Sequence, residues 1–113
     1  MIELKLSANI RKELKRLSKK YRSLPDDFEA FIKELCANPY MGVDLGNGIH
    51  KVRMAVGSKN KGKSGGARII TDTTAIISIE EGYIILLYIY DKSERDNLSD
   101  KEIQKLRQAI ETE

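Results

Sequence analysis

The chain has 113 residues, 41% apolar and 33% charged, with 20 Lys and Arg against 17 Asp and Glu for a net charge of +3. That length suits one compact domain spanning residues 1–113, and the composition excludes a disordered chain. One cysteine and one histidine exclude a disulfide framework and a zinc-type site, and no cofactor or metal is expected.

The N-terminus alternates charged and apolar residues, unlike a signal peptide, and Glu3–Ser7 reads as a short edge strand. A helix follows, with Ser7 or Asn9 as its N-cap and a stripe of Ile10, Leu14, Leu17, Tyr21 and Leu24. Arg11, Lys12, Lys15, Arg16, Lys19 and Lys20 cover its outer face. Ser23-Leu24-Pro25 restarts the chain as a second helix that buries Phe28, Phe31, Ile32 and Leu35, with Cys36 expected as a buried thiol. Asn38-Pro39 ends it, and Tyr40–Gly48 reads as a Gly-rich connector.

Strands are expected at about Ile49–Gly57, Ala67–Ile79 and Tyr83–Asp91, the last two joined by the turn Glu80-Glu81-Gly82. Ser99-Asp100-Lys101-Glu102 is a capping box opening a final helix with Ile103, Leu106 and Ile110 inward. The longest apolar run, Tyr83–Tyr90, is far short of a bilayer span, so no membrane contact and a cytoplasmic location are expected. The fold class is α+β: a small antiparallel sheet with an N-terminal helical hairpin and a C-terminal helix.

Charge points to function. Residues 1–24 carry eight basic and two acidic side chains and residues 51–74 carry six and one, whereas residues 25–50 carry one and five and residues 75–113 five and nine. Such alternation predicts one face for a polyanion and another for a different contact. Residues 49–68 hold Lys51, Arg53, Lys59, Lys61, Lys63 and Arg68, four glycines and no acid. Lys51 and Arg53 share a strand face, and Arg68 opens the next strand. A solvated turn would account for the lysines at the tip but not for the cations on the flanking strands. Like charges assembled this closely suit a phosphate backbone.

Gly57–Ser64 matches G-x-x-x-x-G-K-[ST], but a P-loop needs a buried parallel strand before it and a helix after it. Here a charged strand precedes the loop and β-branched Ile69-Ile70-Thr71 follows, so the match is read as accidental. His50, beside the cations, is read as incidental. Tyr88 and Tyr90 share a face of the last strand, and Tyr90, at its end, could stack on a base. A cationic site of this type suits RNA cleavage by the RNA's own 2′-hydroxyl: Lys and Arg stabilise the phosphorane-like charge, and a Lys crowded by cations could accept the hydroxyl proton.

Lys51-Val52-Arg53, then Ser58-Lys59-Asn60-Lys61-Gly62-Lys63-Ser64-Gly65-Gly66-Ala67-Arg68, then Ile89-Tyr90-Asp91-Lys92-Ser93-Glu94 resemble the RelE/ParE superfamily of bacterial toxins, closest to its RelE- and HigB-like branch. The resemblance implies a microbial RNase-like fold, a cognate antitoxin, and ribosome-dependent endoribonuclease action on mRNA in the A site, in contact with rRNA. By motif, it places the catalytic cations at Lys51, Arg53 and Arg68, with Tyr90 stacking on a base or taking part in proton transfer. Its cation near the end of the last strand falls on Lys92, which joins Lys59, Lys61, Lys63 and Ser64 of the cationic loop as the expected RNA-binding residues. The antitoxin is expected to cover the cationic face with an acidic segment or to displace the C-terminal helix. The alternative is a ParE-like toxin that inhibits DNA gyrase by binding, without catalysis.

Overall fold

The computed structural model describes residues 2–60, 62 and 65–113. The Ser7 side chain accepts a hydrogen bond from the Ile10 amide and so caps helix α1, Ala8–Lys20, just after strand β1, Glu3–Leu6. Pro25 sits in the first turn of helix α2, Leu24–Ala37, where its missing N–H costs nothing. Strand β2, Val43–Gly46, and strand β3, Ile49–Met54, form a hairpin, and a single 3-10 turn, Gly57–Lys59, follows. Strand β4, Ala67–Asp72, strand β5, Tyr83–Asp91, and helix α3, Asp100–Ile110, complete the described elements. The expected capping box on α3 is formed.

The sheet runs β1-β5-β4-β3-β2; β1 pairs parallel to β5 and the remaining pairs are antiparallel. The fold is therefore α+β with a mostly antiparallel sheet. One sheet face packs Val52, Met54, Ala67, Ile69, Ile84, Leu86 and Ile89 against Ile10, Leu17, Leu24, Phe31 and Leu35 of the helical hairpin. The other face places Ile49, Ile70 and Leu87 beneath Leu98 and Ile103 of the α3 region. Arg107 of α3 donates to buried Asp72 at 2.9 Å, pinning the helix to β4.

One irregularity in β5 decides which side chains face which way. Ile70 pairs with Tyr88, but Thr71 pairs with Leu86, so Leu87 is an extra residue, a β-bulge. Alternation puts Ile84 and Leu86 on the helical-hairpin face. The bulge reverses it, so Ile89 and Asp91 take that face while Tyr88 and Tyr90 turn toward α3. The Ser7 hydroxyl donates to the carbonyl of Leu87 at 2.7 Å, so the residue that caps α1 also holds the bulge.

Four expectations change. The Tyr40–Gly48 connector contains β2, a wholly exposed edge strand with no buried face to give it periodicity. Its signal was the turn Asn47-Gly48, both at positive φ, the two-residue geometry that twists a hairpin correctly. The strand expected over Ala67–Ile79 stops at Asp72, whose carboxylate accepts from the amide and hydroxyl of Thr74 and turns the chain. The strand expected over Ile49–Gly57 ends at Met54. Cys36 is exposed, because it lies one residue past buried Leu35 and is rotated about 100° around the helix from it.

Candidate functional site

Strand register, not sequence proximity, assembles the cationic site. Arg53 pairs with Arg68 and Arg68 with Tyr90, so the three form one row across β3, β4 and β5 on the α3 side of the sheet. Lys51 lies two residues along the same face of β3, opposite Ile70 and, beyond it, Tyr88. Paired residues on adjacent strands stand about 5 Å apart at Cβ, so the side chains of Arg53, Arg68 and Tyr90 leave the sheet side by side. Arg53 is exposed and Lys51 half-buried, whereas Arg68 is only 7% exposed and donates to the Ala67 carbonyl at 3.2 Å.

The segment after β5 frames this row. Lys51 Nζ donates to Asn97 Oδ1 at 3.2 Å, and Arg95 donates to the Asn97 carbonyl at 3.3 Å and to Glu102 at 2.6 Å. Glu102 is also the capping-box glutamate of α3, so that helix start and the rim of the site share one acid. Lys92, half-buried, reaches the Asp96 carbonyl at 3.1 Å. Arg95 and Asn97 were absent from the residues picked out in the sequence. Their only signal was position, a cation and an amide in the segment directly after a strand that already carried site residues.

Tyr90 is 2% exposed, and its hydroxyl has no hydrogen-bond partner among the described residues. A ring so buried has no free face for a base, which sets aside the stacking expectation and leaves only the expected part in proton transfer. Burial pushes the phenol up; the charges of Arg68 and Arg95 oppose that, and Asp96 adds to it. The net effect keeps the proton on, which suits an acid rather than a base.

Lys59 is also corrected. Its ammonium is on the opposite sheet face, its side chain 6% exposed, and it pairs with Asp91 at 2.6 Å. Its charge is taken up inside the protein, unlike that of the exposed Arg53. His50 likewise faces away from the row, toward Tyr40 and the helical-hairpin side. Lys61, Lys63 and Ser64 lie outside the described residues. The nucleotide-loop match fails in three dimensions: the segment joins two antiparallel strands and leads into β4, not into a helix.

Arg16 and Lys20, on the basic face of α1, are committed to acids, Arg16 to Glu13 and Glu94, and Lys20 to Asp91 and Glu94. That half of the helix surface is a bracket for the segment after β5 rather than an open cationic face.

The model of the family described as "RelE toxin of RelE / RelB toxin-antitoxin system" matches residues 9–112. The chain belongs to the RelE toxin family. Membership implies a toxin of a toxin–antitoxin system with an antitoxin as its partner. No curated protein matches the chain at a significant level. The match runs from the first turn of α1 to the end of the chain's last helix, so it includes every member of the Arg53–Arg68–Tyr90 row. Among the described residues of this RelE-family chain, no helix is long and apolar enough to cross a membrane.

Proposed function

We propose that this RelE-family toxin is an endoribonuclease that cleaves mRNA in the ribosomal A site by attack of a 2′-hydroxyl on the adjoining phosphate. The observation that carries the reading is the row of Arg53, Arg68 and Tyr90 with Lys51 beside it. Arg53 and Arg68 bind the scissile phosphate and stabilise the additional charge of the pentacoordinate transition state. Lys51, held by Asn97, acts as the base once its ammonium has given a proton to solvent: the neutral amine then takes the 2′-hydroxyl proton. Tyr90 gives its proton to the departing 5′-oxygen, and the raised phenol keeps that proton available at neutral pH. The Tyr90 hydroxyl lies below the surface, so substrate must displace the side chains above it. Lys92, with Lys61, Lys63 and Ser64 of the Gly-rich loop, holds the flanking RNA or rRNA. The antitoxin neutralises the toxin by laying an acidic segment over this face or by displacing α3, which borders it.

Primer extension on mRNA programmed into ribosomes tests the reading. Wild-type protein is expected to give cuts within the A-site codon that disappear when ribosomes are omitted. Arg68→Ala is expected to abolish both the cuts and growth arrest while the protein still melts cooperatively. Intact mRNA, from protein that still arrests growth, would overturn the nuclease reading in favour of a bound target such as gyrase.

A further inference from the structure

Asp91 is the most deeply buried acid among the described residues, 1% exposed, and it sits one residue beyond Tyr90 on the other side of the sheet. Its carboxylate accepts from Lys59 at 2.6 Å, Tyr21 at 2.5 Å, Lys20 at 3.0 Å, and the amide and hydroxyl of Ser93 at 2.9 and 2.7 Å. Burial alone would raise its pKa, but the bonds from Lys59, Tyr21 and Ser93 outweigh that and hold it well below the usual carboxylate range. Lys59 in turn satisfies all three ammonium protons, donating to Asp91, to the Gly66 carbonyl at 3.1 Å and to Ser93 Oγ at 3.3 Å. One ammonium thus ties together the outgoing limb of the Gly-rich loop, its returning limb and the end of β5.

The surroundings make this junction rigid. The 3-10 turn carrying Lys59 is stapled to the corner between α1 and α2. Ser58 and Ser23 exchange amide-to-hydroxyl bonds of 2.8 and 2.9 Å, and the Gly57 amide donates to Asp27 at 3.0 Å. A Cβ on Gly66 would lie 2.1 Å from the Met54 carbonyl, so only glycine lets the returning limb pass so close to β3. The Gly66 carbonyl also accepts from the Lys92 amide at 3.2 Å. Asp91 pairs with Ala67 in the sheet, and the neighbouring pair is Arg68 with Tyr90. The knot therefore lies directly behind two members of the site, on the opposite face of the same two strands.

We infer that the Lys59–Asp91 pair is a positioning brace that fixes Arg68 and Tyr90 and both limbs of the Gly-rich loop in the geometry for phosphate attack, and that Lys59 contacts no RNA. The role in attack rests on the nuclease reading above; the bracing of the loop does not. A buried ion pair earns little net stability, because desolvation offsets its attraction, so its value here is a fixed geometry. A misplacement of about 1 Å at a reacting group can cost about 100-fold in rate.

The test compares Lys59→Met, Asp91→Asn and the double variant Lys59→Met/Asp91→Leu, which replaces the pair by apolar groups and avoids leaving a lone buried charge. Three quantities are read: single-turnover cleavage, the salt dependence of binding to a short single-stranded RNA, and amide exchange at Gly66, Ala67 and Arg68. The brace predicts that all three variants lose about 10- to 100-fold in cleavage. Their salt slopes stay at the wild-type value, and amide exchange at the three positions accelerates.

Direct RNA contact predicts the opposite pattern. Lys59→Met would then flatten the salt slope by about one charge, while Asp91→Asn, which removes a negative charge near a polyanion site, would bind RNA more tightly and cleave normally. That pattern would overturn the brace, as would full activity in the double variant. If wild-type protein cleaves nothing, the nuclease reading fails by itself. The brace is then decided by amide exchange: acceleration in the cooperatively folded double variant supports it, and wild-type exchange rates overturn it.

Discussion

Replacing Tyr90 by Phe removes one oxygen from the protein and is expected to move stability and activity in opposite directions. The hydroxyl is buried without a partner among the described residues. An unsatisfied buried polar group of this kind costs about 1–3 kcal/mol relative to a satisfied or absent one. Tyr90→Phe leaves the ring among Ile70, Leu87 and Leu98 and opens no cavity beyond one oxygen. A gain of about 1 kcal/mol is expected, which for a domain of this length raises Tm by about 4 °C.

The catalytic side is larger. If the hydroxyl delivers the proton to the leaving 5′-oxygen, its loss lowers single-turnover cleavage by about 100- to 10,000-fold. The assay is a thermal melt together with cleavage of ribosome-bound mRNA, wild type and variant side by side. A higher Tm with unchanged cleavage would show that the hydroxyl is only a polar flaw in the core. A lower Tm would show that it has a partner in the folded protein and would refute the stability argument.

Two further predictions concern the scaffold. Asp91 and Asp72 are both held below the usual carboxylate range: burial opposes this in each, but the bonds from Lys59, Tyr21 and Ser93 to Asp91 and from Arg107 and Thr74 to Asp72 prevail. A depressed folded-state pKa gives stability that is present above the unfolded value of about 3.9 and is lost as pH falls through the folded value. Urea midpoints should therefore drop below about pH 4 in the wild type, and the gap between wild type and Asp91→Asn should narrow over that range; a gap independent of pH would contradict the linkage. Ser7→Ala removes both the cap of α1 and the bond to the bulge carbonyl of Leu87, for an expected loss of about 1–2 kcal/mol by urea unfolding. A loss below about 0.5 kcal/mol would mean that neither bond matters.

The elements with strong local signals were legible in the chain. The stripe of Ile10, Leu14, Leu17 and Tyr21 gave α1, and Ser99 with Glu102 gave the start of α3, because capping and helical periodicity act over three or four residues. The strand Tyr83–Asp91 matched to the residue. The edge strand β2 escaped because none of its residues is buried, although Asn47-Gly48 carried a hairpin signal. Cys36 was misplaced by one helical step.

For the site, sequence determined the inventory of cations and the strand parity that puts Lys51 and Arg53 on one face. Only tertiary structure decided which of them share a site. Lys59 looked equivalent to the other loop lysines until a buried carboxylate 32 positions away took its charge. Whether Asp91 or Tyr90 shares the Arg68 face of the sheet depends on the single extra residue Leu87, and that bulge is specified by pairing with β4 and by a hydroxyl from the far end of the chain. A bulge is a mismatch between two strands, so neither strand alone encodes it. The sequence by itself determines that there is a cationic hairpin, with two helices before it and one after it in the chain. The pairing of β4 with β5 decides that the phenol of Tyr90, and not the carboxylate of Asp91, is on the face that carries the arginines.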